Sequence, residues 1–163
     1  MRIDSPVEHL MACHRRIEQR LDTLVISADH MGDDRGAAMA AIRRSFEFLD
    51  TSGVLHTEDE ETSVFPRLRP KLSDAEIAFI DSLEAQHAEA DTVYQEVKRL
   101  SGQLENVPDA VQRYRVYAER LRSLYRDHIR AEDENLMGLA ARVLSESEAG
   151  EIAREMRERR RTG

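Results

Sequence analysis

The chain has 163 residues, of which 40% are apolar and 34% are charged, and its formal net charge is −8. This length and composition are typical of one globular domain with a buried core. The acidic balance argues against a general affinity for nucleic acid, because that affinity depends on cationic side chains that neutralise phosphates. The one basic run, residues 157–161, lies among glutamates and is interpreted as the solvated end of a helix.

Nothing in the sequence points to export or to a membrane. The single cysteine, Cys13, has no partner for an internal disulfide, and the first ten residues lack the basic and apolar parts of an export signal. No apolar run approaches the length needed to cross a bilayer. We therefore expect a cytoplasmic protein with no membrane partner.

Three Ser-x-x-Glu motifs predict where helices begin. They start at Ser5, Ser73 and Ser145, and each pairs a capping serine with a glutamate three residues later. Residues 31–36 and 105–108 have the composition of turns, and Pro70 ends the second segment because the residue before a proline is disfavoured in a helix. The predicted helices span residues 6–30, 36–65, 74–104, 109–143 and 146–160.

These helices predict an all-α fold without strands. Short connections make consecutive helices antiparallel neighbours, so the first four should form an up-down-up-down four-helix bundle. We assign the bundle to residues 1–145, and a short extra C-terminal helix with its tail to residues 146–163.

Each long helix carries an apolar stripe at three- and four-residue spacing, and each stripe includes one histidine. The histidines are His14, His56, His87 and His128. On three of the stripes a carboxylate follows four residues later, at Glu60, Asp91 and Glu132. The fourth stripe also assigns Asn135 and Leu139 to the inward face. Buried carboxylates are rarely left unpaired, so these positions need a partner.

The helical rise of about 1.5 Å per residue places the four histidines at similar depth in the bundle. Glu60 and Glu132 then lie one turn beyond His56 and His128, whereas Asp91 lies in the opposite direction because its helix runs the other way. Burying this set without a partner would be costly for each ionised group, and a pair of cations would satisfy all of it. The pattern therefore predicts a metal centre.

These motifs resemble the hemerythrin-like family, also called the HHE cation-binding domain, over about residues 5–143. The resemblance lies in a histidine on the first helix, a His-x-x-x-Glu on the second, a histidine on the third and a second His-x-x-x-Glu on the fourth. It implies a pair of non-haem iron ions bridged by Glu60, Glu132 and an oxo or hydroxo group. His14 and His56 would bind one iron, and His87 and His128 the other. Mixed imidazole and carboxylate ligands suit iron or manganese.

Asp91 departs from the family pattern. Oxygen-carrying members have a second histidine at this place on the third helix. As a metal ligand, the harder carboxylate of Asp91 would favour ferric iron and weaken reversible oxygen carriage. The other interpretation is that Asp91 pairs with a buried or outer group.

Helical angle predicts other roles for several residues near these stripes. Glu58, Asp59 and Glu61 are expected on a solvated face. His9 and His30 are expected at the surface or at a helix end, and Cys13 is turned away from its neighbour His14. Core packing is the default for Tyr94 and Tyr117, which are expected near the bundle axis, and Gly53 leaves room near His56 for either packing or a small ligand.

Four functions remain open from the sequence. The first is binding or sensing of oxygen, nitric oxide or peroxide at the iron pair, and the second is an enzyme that consumes peroxide or nitric oxide at the same centre. The third, iron storage, is disfavoured because the Glu-x-x-His arrangement occurs only once on the core helices, at residues 84–87. The fourth is a metal-free helical interaction module. Self-association into a homo-oligomer is compatible with each.

Overall fold

The computed structural model of the protein describes residues 3–107 and 109–162, with the side chain of residue 162 left out. Within these ranges the chain forms five helical runs and no strand. We label them α1 (Pro6–Asp29), α2 (35–71), α3 (Asp74–Ser101), α4 (110–143) and α5 (Glu146–Thr162). The predicted turn at residues 105–108 ends in Pro108, which lies outside the described residues.

The predicted helix starts are confirmed by their hydrogen bonds. The Ser5 hydroxyl accepts from the backbone N–H of Glu8 at 3.3 Å. Ser73 and Glu76 form the full reciprocal capping box, in which the serine N–H also donates to the glutamate carboxylate at 2.8 Å. Ser145 makes the same pair of bonds at the start of α5. These contacts satisfy backbone donors that a helix leaves free at its first turn.

Wider π-helical turns interrupt α2 and α4. In α2 they span Leu49–Gly53 and Asp59–Val64, and in α4 the turn spans Glu132–Leu136. The helix α2 continues through Pro66, past its predicted end at residue 65, and stops at Lys71. A proline has no N–H and its ring crowds the preceding turn, so a wide turn directly before Pro66 accommodates it.

The helices pack as the predicted antiparallel bundle. α1 lies against α2 and α4, and α3 lies against α4. Two apolar clusters fill the interior, one including Ile17 and Ala90 and the other including Leu10 and Leu83. His14 lies on α1 between Leu10 and Ile17, so the histidines occupy the layer where the two clusters meet.

The C-terminal helix α5 shares the second of these clusters. Ile152, Ala153 and Met156 are buried with Phe65 and Leu68 of α2. α5 also contacts α1 and the π-helical segment Asp59–Val64. The extra helix is therefore packed against the segment of α2 that carries Glu60.

One inward assignment on α4 was wrong. Asn135 is exposed, whereas Leu136 beside it is fully buried. The prediction assumed α-helical spacing throughout. The π-helical turn at Glu132–Leu136 has more residues per turn, so the side chains within and after it are rotated about the helix axis. Among the described helices, none combines the length and the hydrophobicity that crossing a bilayer requires.

Candidate metal centre

Six side chains from four helices meet at one level of the bundle. We call them the six-residue centre: His14 on α1, His56 and Glu60 on α2, His87 on α3, and His128 and Glu132 on α4. They form two groups of four potential ligand atoms, and the atoms of each group all lie within 4.8 Å of one another. The first group holds His14 and His56 and the second His87 and His128, while Glu60 and Glu132 belong to both.

The distances within the centre follow this division. In the first group, His14 Nε2 lies 3.1 Å from Glu132 Oε2, and His56 Nε2 lies 3.3 Å from Glu60 Oε1. In the second group, His87 Nε2 lies 3.3 Å from Glu60 Oε2 and 3.0 Å from His128 Nε2. His128 Nε2 lies 3.1 Å from Glu132 Oε1. Each glutamate therefore presents one oxygen to each group.

Most of the potential ligand atoms of this centre have no hydrogen-bond partner within the protein. His14 Nε2 and all four carboxylate oxygens of Glu60 and Glu132 are buried and lack a hydrogen-bond partner. Leaving a buried polar atom without a partner costs roughly 1–3 kcal/mol, and a charged one costs more. Cations held between the two pairs of histidines would satisfy these atoms together, so the residues present fit a metal.

Three of the four imidazoles are held from behind by an acceptor. The Nδ1–H of His14 donates to Asp133 Oδ1 at 2.7 Å, and that of His87 donates to Glu61 Oε1 at 2.7 Å. His128 donates to Gln86 Oε1 at 2.8 Å. Such bonds orient a metal-binding imidazole and fix which nitrogen faces the ion. Here they direct Nε2 of each ring toward the glutamates.

The neighbouring glutamates and burial together set the pKa values of the imidazoles. Burial disfavours the charged ring of His14, but the nearby carboxylates of Glu132 and Glu60 outweigh it and raise the pKa of His14 to about 10. The same competition of burial with Glu60 raises the pKa of His87 to about 9. Burial lowers the pKa of His56. Two imidazolium rings thus neutralise the carboxylates where cations would otherwise do so.

The pKa values of the two glutamates are lowered, whereas those of His14 and His87 are raised. Burial favours the neutral form of Glu60, but the nearby imidazoles of His56, His14 and His87 outweigh it and lower its pKa. Burial and the negative charge of Glu60 oppose ionisation of Glu132, but the nearby imidazoles of His128 and His14 outweigh both, so its pKa is also lowered. Both glutamates are therefore ionised and ready to accept metal at neutral pH.

The prediction that Asp59 faces solvent was wrong. Asp59 is fully buried, and its two carboxylate oxygens accept from Arg159 at 2.7 Å and from Arg160 at 2.6 Å. The basic end of α5 was likewise misread as solvated, since these two arginine side chains are only 19% and 15% exposed. Their partner lies a hundred residues away, and the helical angle of Asp59 carries no information about it.

Two other acidic neighbours do reach solvent. Glu58 is exposed, as predicted. Glu61 is 39% exposed, yet it also holds the imidazole of His87. The sequence predicts only its exposure, because helical angle does not reveal a hydrogen bond to another helix.

Asp91 lies outside both groups of ligand atoms. Its assignment to the inward stripe was wrong, because Asp91 is exposed. Its Oδ1 accepts a hydrogen bond from Gln95 Nε2 on the next turn of α3 at 3.1 Å. Asp91 nevertheless lines a cavity that also reaches His87.

Tyr94 and Tyr117 pack against the first apolar cluster, as expected, although both are only partly buried. Tyr94 also donates to Asp50 Oδ1 at 2.8 Å. Tyr125 was overlooked, although its ring centroid lies 6.4 Å from that of His128. The three-residue spacing from Tyr125 to His128 places both on one helix face and was the signal available in the sequence.

The remaining polar residues lie away from the centre. His30 is exposed at the end of α1, as expected. His9 is half-buried rather than on the surface, with Nε2 3.6 Å from the sulfur of buried Cys13. Burial and the charge of Arg160 lower the pKa of His9 to about 4. Neither His9 nor Cys13 belongs to the two ligand groups.

Comparison with known proteins identifies the chain at the level of its family. No curated protein matches it. The family model described as the hemerythrin HHE cation binding domain matches residues 5–140, a range that includes all of the six-residue centre and leaves out α5. A match over most of the chain, with its histidines and glutamates converging as described, shows that the chain belongs to the hemerythrin HHE cation-binding family.

Proposed function

We propose that this protein holds a pair of iron ions in the six-residue centre and uses them to bind a small ligand such as oxygen, nitric oxide or peroxide. His14 and His56 would hold one ion, His87 and His128 the other, and Glu60 and Glu132 would span both. The observation that carries the proposal is the pair of four-atom groups that share both glutamates. Bound iron would supply a redox-active centre with positions open to a ligand.

The donor set suits iron or manganese better than structural zinc, calcium or magnesium. Each group offers two imidazole nitrogens and two carboxylate oxygens and no thiolate. Structural zinc sites are mostly rich in cysteine, and calcium or magnesium sites use oxygen ligands alone. Mixed nitrogen and oxygen ligands suit iron or manganese.

The tyrosines favour ligand binding over proton-dependent turnover. A general acid works best when its pKa is close to the operating pH. Burial, with the negative charges of Asp91, Glu60 and Glu132, raises the pKa of Tyr125 to about 12. Burial and the hydrogen bond to Asp50 raise the pKa of Tyr94 as well. Both hydroxyls therefore keep their protons at neutral pH and are poor proton donors in a reaction. The Tyr94 hydroxyl already donates to Asp50, so Tyr125 is the one of the two that could donate a hydrogen bond to a ligand.

Metal analysis tests this proposal. The protein is loaded anaerobically with ferrous iron, freed of excess metal and analysed for iron per chain. We expect about two iron ions per chain in the wild type and in the control variant Glu58→Ala, and loss of most iron in His56→Ala and Glu132→Ala, because metal sites depend on each ligand. Less than half an equivalent of iron in the correctly folded wild type would refute the proposal.

A further inference from the structure

A cavity of about 270 Å³ lies between α2 and α3 beside one half of the centre. Its wall includes His87, Asp91 and Tyr94 of α3, Gly53 of α2 and Tyr125 of α4. We call it the α2–α3 cavity. Of the six side chains of the centre, only that of His87 lines it. The cavity thus distinguishes the two groups of ligand atoms, which otherwise have the same composition.

Burial supports the same asymmetry. The side chains of His14 and His56 are 0% and 4% exposed, and those of His87 and His128 are 9% and 6% exposed. In the first group, Asp133 bonds to His14 and pairs with Arg15. In the second group, Glu61 bonds to His87, and the side chain of Glu61 is 39% exposed whereas that of Asp133 is 19% exposed.

We propose that the α2–α3 cavity is the access route and pocket for the small ligand, which then binds the metal ion held by His87 and His128 rather than the one held by His14 and His56. This inference rests on the proposed iron pair and adds to it the side from which a ligand arrives. Tyr125 lines this pocket, and its ring centroid lies 6.4 Å from that of His128.

The charges around the cavity define the class of ligand. Asp50, Glu58, Glu61 and Asp91 all line it, while Leu49 and Val54 give it apolar surface. The cation Lys98 is engaged by Asp50 at 2.7 Å. Asp50 is therefore paired with a cation, and Glu61 is paired with His87. The charges of Glu58 and Asp91 still disfavour an anion, because like charges repel. The cavity therefore suits a neutral molecule such as oxygen, nitric oxide or hydrogen peroxide.

Gly53 keeps part of the cavity open. A Cβ atom built at this position would meet only the side chain of Leu49, at 3.7 Å, an ordinary contact. The backbone at Gly53 is helical, with φ −65° and ψ −47°, so a larger residue is accepted without strain. A leucine at position 53 would project its branch into the cavity. This substitution should fill the pocket while leaving the helix and the ligand residues in place.

Ligand access is tested by mixing the reduced iron-loaded protein with nitric oxide and following the optical change by stopped flow. Gly53→Leu should slow the second-order rate by at least about tenfold, because closing a route lowers the association rate. The matched control is Gly138→Leu, at an exposed helical glycine whose added Cβ would meet nothing within 4 Å. It should react at the wild-type rate, and both variants should keep the wild-type iron content.

A measurement on the metal-free protein separates the cavity from the iron. Xenon binds to apolar surface inside cavities, and Leu49, Val54 and the ring of Tyr125 give the α2–α3 cavity such a surface. Metal-free wild type and Gly138→Leu should therefore take up xenon beside Tyr125, and Gly53→Leu should not. The readout is a xenon-pressurised crystal structure. Should Gly53→Leu fail to retain iron, Thr57→Leu, on another part of the same wall, replaces it in both experiments.

The outcomes are distinct. An unchanged nitric oxide rate in a variant that has lost the xenon site would overturn the access route and leave the iron pair standing. A wild type that takes up xenon but no iron would overturn the proposed function, and this inference with it. A slow rate confined to the cavity variant, with its iron content intact, supports both.

Discussion

At the scale of single residues, the centre depends on the groups behind its imidazoles as well as on the ligands. Asp133, Glu61 and Gln86 each accept from the Nδ1–H of one histidine, while the Nδ1 atom of His56 is buried without a partner. None of these acceptors was identified from the sequence, because each bond joins residues on different helices. The convergence of the six side chains could be predicted, since their positions follow from helical spacing and depth.

Removing one of these acceptors should weaken the metal site without removing a ligand. Loss of such a group typically costs about 10–100-fold in metal affinity. We expect Asp133→Asn to weaken iron binding by about that factor, because the amide accepts more weakly from the His14 ring than a carboxylate does. Competition with a chelator measures the affinity. Asp127→Asn, at a residue with a 71% exposed side chain on the same helix, is the control and should leave the affinity unchanged.

The pH dependence of the metal-free protein follows from the raised pKa values of His14 and His87. A group whose folded pKa lies above its unfolded value near 6.5 stabilises the fold fully below that value and loses this contribution as pH rises through the folded pKa. The values of about 10 and about 9 predict that metal-free protein becomes less stable between pH 7 and pH 10. Urea unfolding across this range measures it.

Iron binding should change with pH in the opposite direction. Metal must displace the protons on His14 and His87, so affinity should rise by about tenfold per pH unit for each proton released, until the pKa of that ring is passed. Anaerobic ferrous titrations between pH 6 and pH 8 test this. An affinity that is independent of pH would show that these rings carry no proton in the metal-free protein, or are not ligands.

At the scale of secondary structure, the π-helical turns explain where sequence reasoning succeeded and where it failed. Uniform α-helical spacing placed His56 and Glu60 on the same inward face. Only the last residues of this interval belong to the wide turn that begins at Asp59. The same spacing failed at Asn135, within the wide turn at Glu132–Leu136. It failed also at Asp59, whose partners Arg159 and Arg160 come from α5 and leave no local signal.

The pairing of α5 with Asp59 gives a prediction at this scale. Removing a hydrogen-bond partner of a charged group costs about 1.5–3 kcal/mol, and the side chains of Arg159 and Arg160 that would be left behind still reach solvent. We expect Asp59→Ala to lower the free energy of unfolding by about that amount, and to weaken iron binding because Glu60 is the next residue. Urea unfolding and iron titration measure the two effects. Glu58→Ala, the exposed neighbour, should change neither, and equal behaviour of the two variants would contradict this role of α5.

At the scale of the whole molecule, the bundle brings the side chains of the six-residue centre from distant parts of the chain to one layer between two apolar clusters. The order of helices, their antiparallel packing and the family could all be predicted, because capping motifs and stripes are local features of the sequence. The α2–α3 cavity could not, since its wall combines residues of three helices and depends on side-chain packing. The difference between the two halves of the centre is therefore a property of the folded molecule.

The most direct test of the account is anomalous X-ray diffraction at the iron absorption edge, from crystals of the iron-loaded protein. We expect a pair of iron peaks inside the bundle, one beside His14 and His56 and the other beside His87 and His128, with Glu60 and Glu132 contacting both. A single peak, peaks at the surface, or a centre without iron in protein that is otherwise folded as described would contradict it.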